Sequence, residues 1–188
     1  MNPTERFCQL LRSRSEENKK SFAVLFQNKL YGNCFSVLRQ ELDSMVRVIY
    51  LLNETDLNKR ESFIRQTLDG AKWSFVNHNG KKQKVTDRDM VELSDSLNGW
   101  TQNVYKFGCA FIHLSNFHDY QSEDPFQSLE DFDKDSIINQ LINYHGANLN
   151  KKSTLNDLIR FLPSVMNKIS SNYECEIKSL EEQKIKSV

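Results

Sequence analysis

Apolar residues recur along most of this 188-residue chain at alternating steps of three and four, the spacing that gathers side chains on one face of an α-helix. The richest case is Tyr31, Cys34, Phe35, Leu38, Leu42, Met45, Val46, Ile49 and Leu52, which predicts a helix over about Leu30–Leu52, ended by Asn53. Upstream, Phe7, Leu10, Leu11, Phe22, Leu25 and Phe26 predict a helix over about Thr4–Gln27, with Pro3 suited to its entrance and a charged stretch from Arg12 to Lys20 inside it. A shorter amphipathic helix is expected over Leu57–Leu68, closed by Gly70.

From Ala71 to Val85 the helical period fails. Trp73, Phe75 and Val76 precede Asn79-Gly80, a two-residue turn signal, so either a small β-hairpin or an ordered loop is expected. Thr86 then reads as a helix cap, with Asp87 and Asp89 at the positive end of the helix dipole. Met90, Leu93, Leu97, Trp100, Val104, Phe107, Phe111 and Leu114 keep the spacing throughout and predict one unbroken helix over 86–115, central in a bundle. Gly99 and Gly108 each cost such a helix about 1 kcal/mol relative to alanine, which points to close helix contact at both. An acidic loop follows Tyr120, then a short helix over Ser136–His145 stopped by Gly146. The last helical region starts at Ser153 or Thr154, must break or kink at Pro163, and resumes through Leu180. The expected fold is an all-α bundle of five to seven helices with a small irregular or hairpin insertion near residues 71–85, the whole of 1–188 forming one domain.

Composition narrows this further. Six Gly and 3 Pro are too few for the turn density of an all-β chain, and 38% hydrophobic against 27% charged residues is a globular balance. Basic and acidic residues are equal at 25 each, so no global field draws the chain to nucleic acid or an anionic membrane, and such binding requires a local patch. The longest apolar run, Val48 to Leu52, is too short to span a bilayer, and the first twenty residues lack the apolar stretch of a signal peptide. A cytoplasmic protein without membrane association is therefore expected. Cys8, Cys34, Cys109 and Cys175 form no CxxC pair and read as reduced, packed thiols.

Three groups of residues can carry chemistry. Lys106 and His113 lie two turns apart on one helical face with Cys109 between them; a neighbouring ammonium favours the neutral imidazole that a general base needs. His118 and Asp119 follow, and together with His113 and His145 they are the residues from which a two-histidine-plus-aspartate metal set can be drawn, though a spacing of five between His113 and His118 is not a recognised ligand pattern. Arg39, Asp43, Arg47 and Tyr50 form a polar ridge on the second helix, either a surface ion ladder or a groove in which the two guanidinium forks hold a phosphate. Lys81, Lys82 and Lys84 follow the Asn-Gly turn, where a lysine run is either simply solvated or touches a nucleic-acid backbone. The acidic stretch from Glu123 to Asp135 lacks the glycine and fixed alternation of a calcium loop, and no glycine-rich phosphate loop, nucleophile elbow or HExxH motif occurs, so no cofactor is expected.

The pairing of VLRQELDSMVRVIYLL on an early helix with NVYKFGCAFIHLSNF on a later one resembles the HEPN superfamily over about residues 30–118. That resemblance implies an all-helical, often dimeric domain, of a kind that includes metal-independent ribonucleases of toxin–antitoxin and antiphage systems. The family signature is an arginine, four to six residues and a histidine. His113 matches the histidine, Lys106 stands where the arginine is expected, and Arg39 and Asp43 fit an arginine and an acidic position on the preceding helix. By this resemblance His113 is the acid or base of an RNA 2′-hydroxyl attack on the adjacent phosphate, and Lys106 stabilises the developing charge as a point charge without arginine's bidentate fork. Arg47, Tyr50 and His118 complete the expected binding residues. RNA, a second copy of the chain or another protein are the partners these readings imply. The principal alternative is a non-enzymatic helical module working by protein–protein contact; the next is a metal-dependent hydrolase built on the histidine and aspartate set.

Overall fold

Helix α2 (Tyr31–Asn53) is buried on more than one side, because Val37, Val48 and Leu51 are enclosed as fully as the expected stripe of Leu38, Leu42, Met45 and Ile49. A helix apolar around most of its girth belongs in the middle of a bundle. In the computed structural model, which describes residues 2–112, 118 and 123–185 and omits the side chains of 98, 107, 110–112 and 183–185, it holds that place. Around it pack α1 (Pro3–Gln27), α4 (Asp87–Asn98), α5 (Thr101–Ile112) and α8 (Leu162–Ile185). Helix α3 (Leu57–Leu68) lies on α1, α6 (Asp131–His145) touches α5, and the short α7 (Leu155–Ile159) leads into α8. The class is all-α, as expected, with eight helices among the described residues rather than five to seven.

Two breaks account for the difference. The expected rod over 86–115 is two helices, and the centre of the bundle is α2 rather than that rod. Gly99 stands between α4 and α5 with φ +69°, a left-handed conformation that glycine adopts without the steric cost of a Cβ. Asp95 secures the corner from both sides: its carbonyl accepts the Gly99 N–H at 2.7 Å, and its carboxyl accepts the Gln102 N–H of the next helix at 3.0 Å. Met90 and Trp100 are buried as expected, but Leu97, which the seam places inside, is 56% exposed. The second break separates α7 from α8 at Arg160 and Phe161 and sets Pro163 in the first turn of α8, where its missing N–H is harmless.

Helix entrances follow the caps. Asn2 and Glu5 form a reciprocal capping box at α1, and Thr86 with Asp89 does the same at α4. Thr154 caps α7, its N–H and hydroxyl both donating to Asp157. Helix α6 begins at Asp131, five residues before the expected Ser136, because acidic residues in its first turn favour the helix dipole.

The insertion is a hairpin. Strands β1 (Ser74–Val76) and β2 (Lys82–Lys84) pair antiparallel in the register Ser74–Lys84, Phe75–Gln83 and Val76–Lys82. Its connection is five residues long rather than the two that Asn79-Gly80 signals. The Asn77 side-chain oxygen accepts the N–H groups of Asn79 and Lys81, each at 3.0 Å, and rounds off the wider loop. No helix among the described residues is long and apolar enough to cross a membrane. None of the four cysteines is in a disulfide; Cys8 and Cys34 are buried as expected, but Cys175 is exposed on α8.

Candidate functional site

The polar ridge of α2 does not lie open as a ladder or a groove. Arg39 is only 4% exposed, clamped between α2 and α5. Gly108 makes the clamp feasible, since a Cβ there would stand 2.9 Å from the Arg39 Cβ, closer than real side chains approach. The close contact expected of this glycine is therefore present, and Arg39 is what occupies the space. The guanidinium lies 3.7 Å from the centre of the Tyr105 ring and pairs with Asp43 one turn along. Its Nε has no hydrogen-bond partner among the described residues.

Arg47 points elsewhere. It donates to Asp87 at the start of α4 at 2.7 Å, and its guanidinium sits 5.3 Å from the Trp73 ring, so the Asp43–Arg47 pairing that the spacing favours is replaced by two separate pairs. Tyr50 belongs to an aromatic cluster with Phe63 and Trp73, at 6.2 and 6.0 Å between ring centres, and burial pushes its phenol above the ordinary value. Lys106 is half-exposed on the α6 side of α5 and meets Asp133 at 3.5 Å. His118 is exposed and borders a broad hollow of about 630 Å³ with a mixed lining, to which Lys29, Tyr31, Asp124, Leu155 and Ile159 contribute. His145 ends α6, where burial first and then the charge of Lys168 hold its imidazole below the ordinary pKa. His113 and Asp119 lie outside the described residues, and among those described no group of three or more His, Cys, Asp or Glu is placed to hold a metal ion.

Two features escaped sequence reasoning. Glu41 is fully buried and accepts hydrogen bonds from Ser15 and Asn18 of α1 and Ser170 of α8. Its signal was position: three residues after Leu38 and four before Met45, it falls inside the apolar face of α2. The second is an apolar cavity of about 60 Å³ between α2, α5, α6, α7 and α8, walled by Phe35, Leu38, Val104, Ile137, Leu141 and Phe161 among others. Asn103 and Gln140 supply its polar rim and bond one another at 3.2 Å.

No family model, curated protein or solved structure matches the chain. Nothing in these comparisons ties it to the HEPN superfamily, and the all-helical architecture is what that resemblance and the structure have in common.

The Arg39–Asp43 pair gives a direct test of how buried charge is used. Arg39→Met keeps an unbranched stem against Gly108 but leaves Asp43 without its cation. Loss of one partner of a fully buried pair costs about 3–5 kcal/mol. The Asp43 side chain keeps 24% exposure and recovers some hydration, so a loss of about 2 kcal/mol is expected. Adding Asp43→Leu removes the stranded charge and should restore most of the stability in urea unfolding. A double variant no more stable than Arg39→Met alone would show that the pair is not the source of the loss.

Proposed function

We propose that this chain is a non-enzymatic helical module that binds a protein partner at the cleft between α5, α6 and α8. The observation that carries the reading is the apolar cavity there, whose lip leaves Val104, Ile137, Phe161 and Val165 only partly buried. Half-covered apolar side chains around a preformed recess with a few polar groups are the usual makings of a pocket for an apolar anchor. The internal use of the candidate polar residues supports the same reading. Arg39 is enclosed with Asp43 and Tyr105, Arg47 is engaged with Asp87 and Trp73, and Lys106 faces Asp133. Arg39 and Lys106 thus serve different contacts rather than one open phosphate cradle.

The test has two arms. In the first, purified full-length chain is incubated with mixed-sequence RNA, with and without a chelator, and the RNA is expected to stay intact. Metal-independent cleavage abolished by His113→Ala would overturn the proposal in favour of the RNA-cleaving reading, with Lys106 as charge stabiliser; chelator-sensitive cleavage would favour the metal-dependent one. In the second arm, a photo-crosslinking residue at Ile137 is expected to give one discrete protein adduct in cells producing the chain. That adduct should vanish on Phe161→Asp and be absent when the probe is moved to Lys20 on α1. Absence of any adduct at Ile137 would equally reject the assignment.

A further inference from the structure

The β1–β2 hairpin is too short to stand by itself: with three residues per strand it falls below what holds an isolated hairpin together in water. It is nevertheless pinned to α3 at several points. The Gln66 side chain accepts the Ser74 N–H at 2.8 Å and donates to the Ser74 carbonyl at 3.0 Å, taking the place of a neighbouring strand. Trp73, at the root of β1, donates its indole N–H to Thr67 at 2.7 Å and stacks on Phe63 with 4.9 Å between ring centres. Phe75 turns towards α3, meeting Phe63 and lying under the Lys59 ammonium.

What this anchorage holds out is basic. Successive residues of a strand face opposite ways, so Lys82 and Lys84 share the face opposite Gln83, the cross-strand partner of the α3-packed Phe75, while at the root of β1 the Ser74 hydroxyl still reaches Gln66 at 3.5 Å. Lys82 and Lys84 are exposed, about 7 Å apart along one strand. Lys81 is exposed in the turn and Lys72 at the base of β1, and none of the four takes part in an ion pair among the described residues. In a chain of zero net charge, with many of its other cations paired, this is a local excess of positive charge on a fixed arm.

We propose that the lysine-bearing hairpin is a docking surface for the phosphate backbone of duplex DNA, separate from the apolar cleft and independent of the reading given to it. Duplex DNA presents the denser array of regularly spaced negative charge, one per about 1.7 Å of axis, and a two-stranded ribbon fits its major groove. Single strands are gripped by aromatic platforms on which bases stack, and the aromatic rings of this hairpin, Trp73 and Phe75, are turned inward. A membrane surface calls for apolar insertion, for which the outer face offers Val76 alone. Lysines contact phosphates as point charges, so the binding is without sequence preference.

Fluorescence anisotropy with a labelled mixed-sequence duplex and the full-length chain tests this. With three or four phosphates neutralised, affinity should fall roughly 40- to 150-fold between about 50 and 200 mM salt. Lys82→Glu with Lys84→Glu should weaken binding about tenfold or more at the lower salt. The charge-matched pair Lys20→Glu with Lys178→Glu, on exposed positions of α1 and α8, should bind as the parent does. Circular dichroism confirms that each variant is folded. The proposal is overturned if the hairpin variant binds the duplex as the parent does. It is equally overturned if single-stranded RNA, phosphatidylserine vesicles or polyglutamate bind the arm more tightly than the duplex.

Discussion

Glu41→Ala is expected to lower the stability of the chain by about 3–5 kcal/mol, a large part of what a domain of this size possesses. Two costs combine. Truncation leaves a void where three helices meet, since Glu41 is fully enclosed among α1, α2 and α8. It also strands donors on both neighbours: the Asn18 amide, 2.9 Å from the carboxyl, and the Ser15 and Ser170 hydroxyls. A serine hydroxyl in a helix can swing back to a carbonyl one turn earlier, so the asparagine carries most of the penalty. Glu41→Gln keeps the volume and one accepting oxygen and should cost about 1–2 kcal/mol. Glu41→Leu fills the space but rescues little, because the donors stay unmatched. Replacing them too, with Ser15→Ala, Asn18→Leu and Ser170→Ala, should recover most of the loss. Urea unfolding followed by circular dichroism separates these cases, and a Glu41→Ala protein within about 1 kcal/mol of the parent would mean that the network contributes little.

How far such features can be read in advance depends on whether a residue's own chemistry or its neighbours decide its role. The stripe of α2 was legible because periodicity is a property of the chain alone, and the Thr86 cap because its partner Asp89 is three residues away. Gly99 shows the limit of the same signal. Met90, Leu93, Leu97, Trp100 and Val104 keep helical spacing straight across a corner whose cost glycine removes, and only the fold shows Leu97 turned outward. Arg39 and Glu41 are not legible as buried groups because charged residues are seldom enclosed, and what encloses them comes from other helices: Tyr105 and Gly108 of α5 around Arg39, whose ion partner Asp43 is on its own helix, and the donors of α1 and α8 around Glu41. Of the ridge, Arg39 is enclosed and pairs with Asp43 one turn along, while Asp43 and Arg47 keep part of their surface. Lys106 meets Asp133 on α6 whereas His118 borders the wide hollow lined by Tyr31 and Leu155, a distinction that linear spacing does not carry.

Trp73→Ala should have an effect of similar size, about 3–5 kcal/mol, and it reaches from stability into function. The indole is 1% exposed, stacked on Phe63, edged by Tyr50 and covered by the Arg47 guanidinium. Its removal therefore vacates a large buried volume and releases the Arg47 side chain that also binds Asp87 at the entrance of α4. Trp73→Phe keeps the stack on Phe63 and gives up the bond to Thr67 with part of the volume, so a loss of about 1–2 kcal/mol is expected. The two substitutions differ more sharply at the hairpin. Trp73 carries the carbonyl that accepts the Val85 N–H at 3.0 Å, and its ring is the weight that holds this backbone against α3. With alanine, only the Gln66 contacts and the packing of Phe75 on Phe63 and Lys59 remain to restrain strands of three residues, and local opening of β1 and β2 should become frequent. Amide hydrogen exchange in β1 and β2 should accelerate in Trp73→Ala well beyond the change in α2, while Trp73→Phe stays close to the parent. The same loosening spreads the positions of Lys82 and Lys84, so duplex affinity should fall in Trp73→Ala although no lysine has been touched. Uniform acceleration across hairpin and bundle would instead make Trp73 a core residue like any other, with no special part in presenting the arm.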